Sequence, residues 1–239
     1  AFFIILGTVV IQGLSAKHVA HWLGVRDPAP SGVLITGGGL VARRIAKALQ
    51  TAEIKAVIAD SDYENIRLAR MEGLETYYGN PMSEHGDRHL ELAGLGRLLT
   101  MTGRMNLDAV LAMNFRSVFG VQNIFELPIN LNGLTAKHQV ASRLRGKHLF
   151  GEQVTYNLLA GKLNSGAEIR STLLTPEYGM EAYAASYAGR YLLLFAIDSD
   201  GRLQIYTEAP SFTVEPGWRV ISLVEPEPKA ASETEAAVD

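Results

Sequence analysis

Two features of this chain have residue types and spacing that chemistry can use. They are the run Gly37-Gly38-Gly39-Leu40-Val41-Ala42 and the single acid Asp60. The run follows the apolar Val33-Leu34-Ile35-Thr36 and leads into an amphipathic stretch, so it reads as a strand, a G-x-G-x-x-A turn and a helix. In that setting Gly37 permits the tight turn, Gly39 lets backbone N–H groups approach a pyrophosphate, and Ala42 lets the helix pack closely on the strand. Gly38, Leu40 and Val41 complete the turn, and the unpaired N–H groups of the helix start favour an anion. Asp60 stands 21 positions after Gly39, at the end of the next apolar run, where a carboxylate accepts hydrogen bonds from ribose hydroxyls. Ser61 beside it, Asn80 and Thr102 end the candidate binding set. A carboxylate at this place repels a 2′-phosphate, and the next arginine is as far on as Arg67, which favours NAD(H) or an adenine nucleotide with a free 2′-hydroxyl over NADP(H). Arg43 and Arg44 in the first helical turn read either as phosphate partners or as part of a solvated helix face.

These residues need a scaffold, and the hydrophobic pattern supplies one. Strands are expected at Val33–Thr36, Ala56–Ala59, Glu75–Tyr78, Leu98–Thr102 and Asn123–Leu127, with helices at Val41–Thr51, Tyr63–Glu72, Arg88–Ala93 and Leu107–Phe119. This alternation demands a parallel sheet, because each crossover helix must return the chain to the same end. Residues 31–128 therefore read as an α/β, Rossmann-like parallel-sheet domain. After Pro128 the alternation stops. Residues 129–226 read as a smaller α+β domain with helices at Ala136–Arg145 and Glu152–Lys162, and strands at Glu168–Leu174, Tyr191–Ile197, Leu203–Thr207 and Arg219–Val224. Asp198-Ser199-Asp200-Gly201 is a hairpin turn, and residues 227–239 read as a disordered acidic tail. The aromatics Tyr183, Tyr187, Tyr191, Phe195, Tyr206 and Trp218 read as core or dimer contacts in preference to a ligand box.

Composition excludes several functions. The 239 residues carry a net charge of −3 with no Lys/Arg-dense block, which argues against nucleic-acid binding. With no cysteine, there is neither a disulfide framework nor a thiolate site. No Tyr-x-x-x-Lys, P-loop, Gly-x-Ser-x-Gly or His-Glu-x-x-His pattern occurs, so no catalytic residue is assigned and the chain reads as a non-enzyme. His85 and His89 have helical metal-ligand spacing, but the neighbouring Pro81 and Gly86 place them in a loop entering a short helix, so no metal site is assigned. Ala1–Leu14 is apolar and uncharged, and a flank with Lys17, His18, His21 and Arg26 follows. Residues 1–24 read as the end of a transmembrane helix with its cytoplasmic flank, or as a core helix of a soluble protein.

Gly37–Leu127 resembles the RCK (TrkA-N) nucleotide-binding family in its glycine turn, its strand-ending Asp60, Tyr78-Gly79-Asn80, and Thr100-Met101-Thr102 followed by Asn106. Asn80 stands where the family usually has an acid. Gly7-Thr8-Val9-Val10-Ile11-Gln12-Gly13-Leu14 resembles the end of the last membrane helix of bacterial monovalent cation:proton antiporters. The strand Leu192-Leu193-Leu194-Phe195 and the run Pro216–Val224 resemble the C-terminal half of such antiporters. The resemblance implies the cytoplasmic, nucleotide-sensing regulatory region of a sodium(potassium)/proton antiporter. It further implies NAD(H) or an adenine nucleotide as ligand, a homodimer, and attachment to a transport domain in the bacterial inner membrane. The alternatives are a soluble NAD-dependent oxidoreductase or epimerase and a peripheral RCK subunit of a potassium uptake system.

Overall fold

Val33, Leu34 and Ile35 form a continuous apolar run because the strand that contains them is buried on both faces. In the computed structural model, which describes residues 30–128, 145–151 and 153–227, β1 (Gly32–Thr36) is buried at every position. It lies at the centre of a sheet completed by β2 (Ala56–Asp60), β3 (Glu75–Tyr78), β4 (Leu95–Thr100), β5 (Ile124–Glu126) and β6 (Lys147–His148). All pairings are parallel, in the order β3-β2-β1-β4-β5-β6. The strand order reverses between β1 and β4, and an open α/β sheet forms its crevice at the carboxyl ends beside such a reversal.

The helices alternate with the strands as the apolar spacing requires. They are α1 (Leu40–Thr51), α2 (Tyr63–Met71), α3 (Glu84–His89), α4 (Met105–Asn114) and α5 (Arg116–Phe119), with a 3₁₀ turn at Val121–Asn123 before β5. In α1, Val41, Ala42, Ile45, Ala46, Ala48 and Leu49 are all buried, more than one face of a surface helix would need. The reason is that α1 packs on β2 and also on α6 (Tyr156–Asn164) and β7 (Glu168–Leu173) from later in the chain. Asp62 caps α2 by accepting from the Glu64 N–H, and Ser83 caps α3 by accepting from the Gly86 N–H.

A second sheet is antiparallel. It has the order β7-β10-β8-β9, with β8 at Tyr191–Ile197, β9 at Leu203–Ile205 and β10 at Arg219–Val224. Phe195, Ile197, Leu203, Ile221 and Leu223 from this sheet join Val33 and Ile35 of β1 and Ile45 and Leu49 of α1 in one core. The aromatic side is covered by α7 (Met180–Tyr187), where the fully buried Tyr183 meets Tyr187 and Tyr191 edge-on or tilted and its hydroxyl shares a hydrogen bond with Ser222. From Ser31 onward the chain is one compact unit.

Several expected boundaries move, for local reasons. The helix expected at Arg88–Ala93 is α3 at Glu84–His89, set earlier by the Ser83 cap. The one expected at Leu107–Phe119 starts at Met105 and breaks at Phe115 into α4 and α5. The strand expected at Leu98–Thr102 is β4, which starts at Leu95 and stops at Thr100. The helix expected at Glu152–Lys162 begins at Tyr156, after the Thr155 side chain accepts from the Leu158 N–H. Two elements carry no periodic signal and were not expected: β6, two residues long, and α7, whose apolar face is made of tyrosines. The expected helix Ala136–Arg145 lies, apart from Arg145 itself, outside the described residues, as do the Ala1–Leu14 segment, its cationic flank and residues 228–239 of the expected tail. Among the described residues no helix is long and apolar enough to cross a membrane.

Candidate functional site

The turn after β1 is built by its glycines. Gly37 has φ +95°, and a Cβ there would lie 2.5 Å from the Met101 carbonyl oxygen, so the β1 and β4 ends approach more closely than any side chain allows. Gly39 is the N-cap of α1 and has no capping side chain, which leaves the helix's first N–H groups facing the crevice. Gly38 is fastened from two sides. Its N–H donates to Asp60 Oδ2 at 2.6 Å, and its carbonyl accepts from Arg43 Nη1 at 2.7 Å.

Asp60 is the organiser of this end of the sheet. Its Oδ2 also accepts from Asn65 Nδ2 at 2.8 Å, and its Oδ1 accepts from the Asp62 N–H at 2.9 Å. The carboxylate therefore ties the glycine turn to the start of α2 and keeps spare acceptor capacity on Oδ1 for a ligand hydroxyl. Asn80 Oδ1 accepts from the Met82 N–H at 3.0 Å, which fixes the loop after β3.

A cavity of about 570 Å³ opens over these groups at the carboxyl ends of β1, β2, β3 and β4. The structure brings Gly37, Gly38, Gly39, Asp60, Ser61, Asn80 and Thr102 together along its wall. It does not bring Leu40, Val41 and Ala42 there. Val41 and Ala42 are fully buried in the core and Leu40 faces a separate groove, so they shape the helix start and do not line the crevice. Neither arginine of α1 lines it either. The Arg43 guanidinium is spent on Gly38 and on Glu72, to which Nε donates at 3.1 Å, and Arg44 lines the groove on the far side of α1. The cation of the wall is Arg104, at the N-cap of α4.

Four contributors escaped the sequence reading. Arg104 has no motif around it. Thr36 lines the crevice, and its hydroxyl is buried with no partner among the described residues. Tyr156 reaches the wall from α6, more than a hundred positions after the glycine turn. Asp108, in the first turn of α4, stands behind the wall; its Oδ1 accepts from the Thr102 N–H at 3.2 Å and from Thr102 Oγ1 at 2.8 Å. Burial pushes the Asp108 carboxyl up to about 6, against the lowering effect of the Thr102 bonds and with a smaller push from the charge of Glu126. Glu126 in turn pairs with His148 Nε2 at 3.3 Å and Arg145 Nε at 3.7 Å. His85 and His89 lie on one side of α3 with their rings stacked 4.0 Å apart. His85 Nδ1 is bonded to the Tyr77 hydroxyl, and among the described residues no third His, Cys, Asp or Glu joins them.

The residues present fit a dinucleotide or adenine nucleotide. A side-chain-free cradle at Gly37–Gly39 faces a helix N-terminus, Asp60 stands at the end of β2, and the buried Thr36 hydroxyl lacks a partner among the described residues. Fold and crevice together define a protein with a Rossmann-like parallel sheet and an open cavity at its switch point. Residues 33–127 match the TrkA-N domain family, less than half of the chain but, Gly32 apart, the parallel sheet from β1 to β5. No curated protein matches the sequence.

Several solved structures are similar to the chain at low identity. The NAD(P)-binding domain of an exopolyphosphatase-related protein from Archaeoglobus fulgidus is 21% identical, with a TM-score of 0.37 over 42% of this chain and 75% of that one. The TrkA-N domain of the inner membrane protein YbaL from Escherichia coli is 14% identical, with a TM-score of 0.41 over 56% of this chain and 93% of that one. The GsuK channel bound to NAD is 16% identical, with a TM-score of 0.39; the alignment covers 93% of this chain and 44% of that one.

Proposed function

We propose that the chain is the nucleotide-sensing regulatory region of a bacterial sodium(potassium)/proton antiporter, with NAD(H) or an adenine nucleotide as the ligand. The observation that carries the nucleotide is the crevice at the β1/β4 reversal, where the bare glycine turn and Asp60 face the same space. The TrkA-N match of residues 33–127 supports the same reading, and the likeness of Gly7–Leu14 to a terminal antiporter helix supports the attachment to a transporter. On this reading the region lies on the cytoplasmic side of the inner membrane and acts as a homodimer.

The ligand acts by binding one state of the transporter more tightly than the other. Within this chain, the α1 N–H groups and Arg104 hold phosphate, and Asp60 accepts from ribose. No hydride transfer is expected. The polar groups of the wall next to β4 are hydroxyl and guanidinium groups, and the Asp108 carboxyl behind them is turned onto Thr102.

Calorimetric titration of the chain with NADH, NAD, AMP, ADP and ATP tests the proposal. Asp60→Ala is expected to weaken binding by about 1 to 3 kcal/mol through lost charge-assisted bonds. No heat from any of these nucleotides at millimolar concentration would remove the ligand from the proposal. Sustained loss of NADH absorbance with a panel of carbonyl compounds would turn it toward the oxidoreductase.

A further inference from the structure

Gly37 and Gly39 are both crowded, but by different things. At Gly37 the neighbour is main chain, the Met101 carbonyl, which cannot yield. At Gly39 it is the far end of one side chain. A Cβ there would run into the Tyr156 hydroxyl oxygen and would lie 3.2 Å from Cζ and 3.6 Å from Cε2. The second glycine of this turn is bare so that a pyrophosphate can reach the backbone. In this structure the phenol of Tyr156 stands in the space so left.

Tyr156 is held at its main chain and free at its tip. Its N–H donates to the Pro128 carbonyl at 2.7 Å, and Thr155 before it caps α6. Three residues further, Leu159 is buried in the shared core. The hydroxyl, by contrast, has no hydrogen-bond partner among the described residues, and the side chain is only partly buried. A ring anchored through a fixed main chain and turning on two torsions can leave Gly39 without moving the helix.

We propose that Tyr156 is a binding-determining residue of the nucleotide site: its phenol occupies the phosphate space over Gly39 and must swing out before a phosphate-bearing nucleotide enters. The proposal rests on the nucleotide reading of the crevice. It makes the apparent affinity the intrinsic affinity multiplied by the fraction of molecules in which the ring is out. It also gives α6, and through it the second sheet, a side chain whose position reports occupancy.

The test is calorimetric titration of the full chain and of Tyr156→Ala and Tyr156→Phe with NADH and with ADP, with thermal melts to verify folding. Tyr156→Ala is expected to tighten both ligands about tenfold. Tyr156→Phe removes only the atom nearest Gly39, folds with the least disturbance, and is expected to tighten them by a smaller factor. Weakening in both variants would show the hydroxyl to be a phosphate donor and would overturn the proposal, as would affinities equal to those of the unaltered chain. Binding by Tyr156→Ala where the unaltered chain shows none would support it. Absence of binding in all three proteins would overturn the nucleotide reading itself, an outcome distinct from a change of affinity in the wrong direction.

Discussion

Among the described residues, Asp108 is the one carboxyl that burial raises toward neutral pH. Its shift from the ordinary 3.8 to about 6 means that the folded chain keeps a proton that the unfolded chain has already released. Between those two values stability therefore falls as pH rises, and above pH 6 the full cost of an ionised buried carboxylate remains. That cost is of order 3 kcal/mol at about 1.4 kcal/mol per pH unit. Asp108→Asn keeps an oxygen that can accept from both the Thr102 N–H and its hydroxyl while removing the charge. Denaturant unfolding is expected to show this variant more stable by about 1 to 2 kcal/mol at pH 8 and by much less at pH 4.5. Equal effects at the two pH values would mean that Asp108 does not titrate as described. At this scale the sequence was legible where function and fold use the same local residues: Gly37, Gly39 and Asp60 lie within one βαβ unit with a fixed spacing. Asp108, Tyr156 and Thr36 were not legible. Their roles depend on burial and on contacts between remote parts of the chain, which no spacing records.

The elements carry the same distinction further. The strands β3, β8 and β10 match their expected bounds residue for residue, because each is an apolar or alternating run closed by turn residues. Helix α1 also stands nearly as expected, and of the two readings open for its arginines the solvated face holds for the exposed Arg44, while Arg43 follows neither for a reason that only packing supplies. The helix is buried on more than one side, so Arg43 must be satisfied internally and is turned onto Gly38 and Glu72. Helix α7 was invisible because its buried side is a set of tyrosines, which carry β-propensity and read as strand or loop. What holds α7 to the second sheet is the Tyr183 ring among Tyr178, Tyr187 and Tyr191, together with the Tyr183–Ser222 hydrogen bond. Since both residues are fully buried, Ser222→Ala strands a phenol hydroxyl, at an expected cost of about 1 to 3 kcal/mol. Adding Tyr183→Phe is expected to return part of that cost, so the double variant should be more stable than the sum of the single effects predicts. Strict additivity in urea unfolding would show that the pair makes no net contribution to the docking of α7.

For the whole molecule the decisive fact is that the two sheets share a core, although each also has a cluster of its own. Ile45 and Leu49 of α1 are fully buried in a cluster that also contains Leu149, Phe150, Leu159, Phe195, Leu203 and Ile221, all from beyond Pro128. The parallel sheet itself is completed by β6, whose Lys147 and His148 pair with Phe125 and Glu126. Arg97 on β4 adds a cross-tie, donating through Nη2 to the Leu203 carbonyl at 2.7 Å. Cutting the chain after Pro128 would thus expose one side of α1, remove an edge strand and leave the buried Glu126 without His148 and Arg145. Exposing apolar area costs about 25 cal/mol per Å², and a handful of such side chains equals the whole stability of an ordinary domain. The binding crevice shares this dependence, since Tyr156 in its wall belongs to α6. Two expectations follow for differential scanning calorimetry. The full chain should unfold from Ser31 onward in one cooperative transition, with equal calorimetric and van't Hoff enthalpies, and a bound nucleotide should raise that single transition by mass action. A chain truncated after Pro128 should show no cooperative transition. A sharp melt in the truncated chain, or two resolved transitions in the full one, would mean that the parallel sheet stands alone and that occupancy of its crevice cannot reach the second sheet through a shared core.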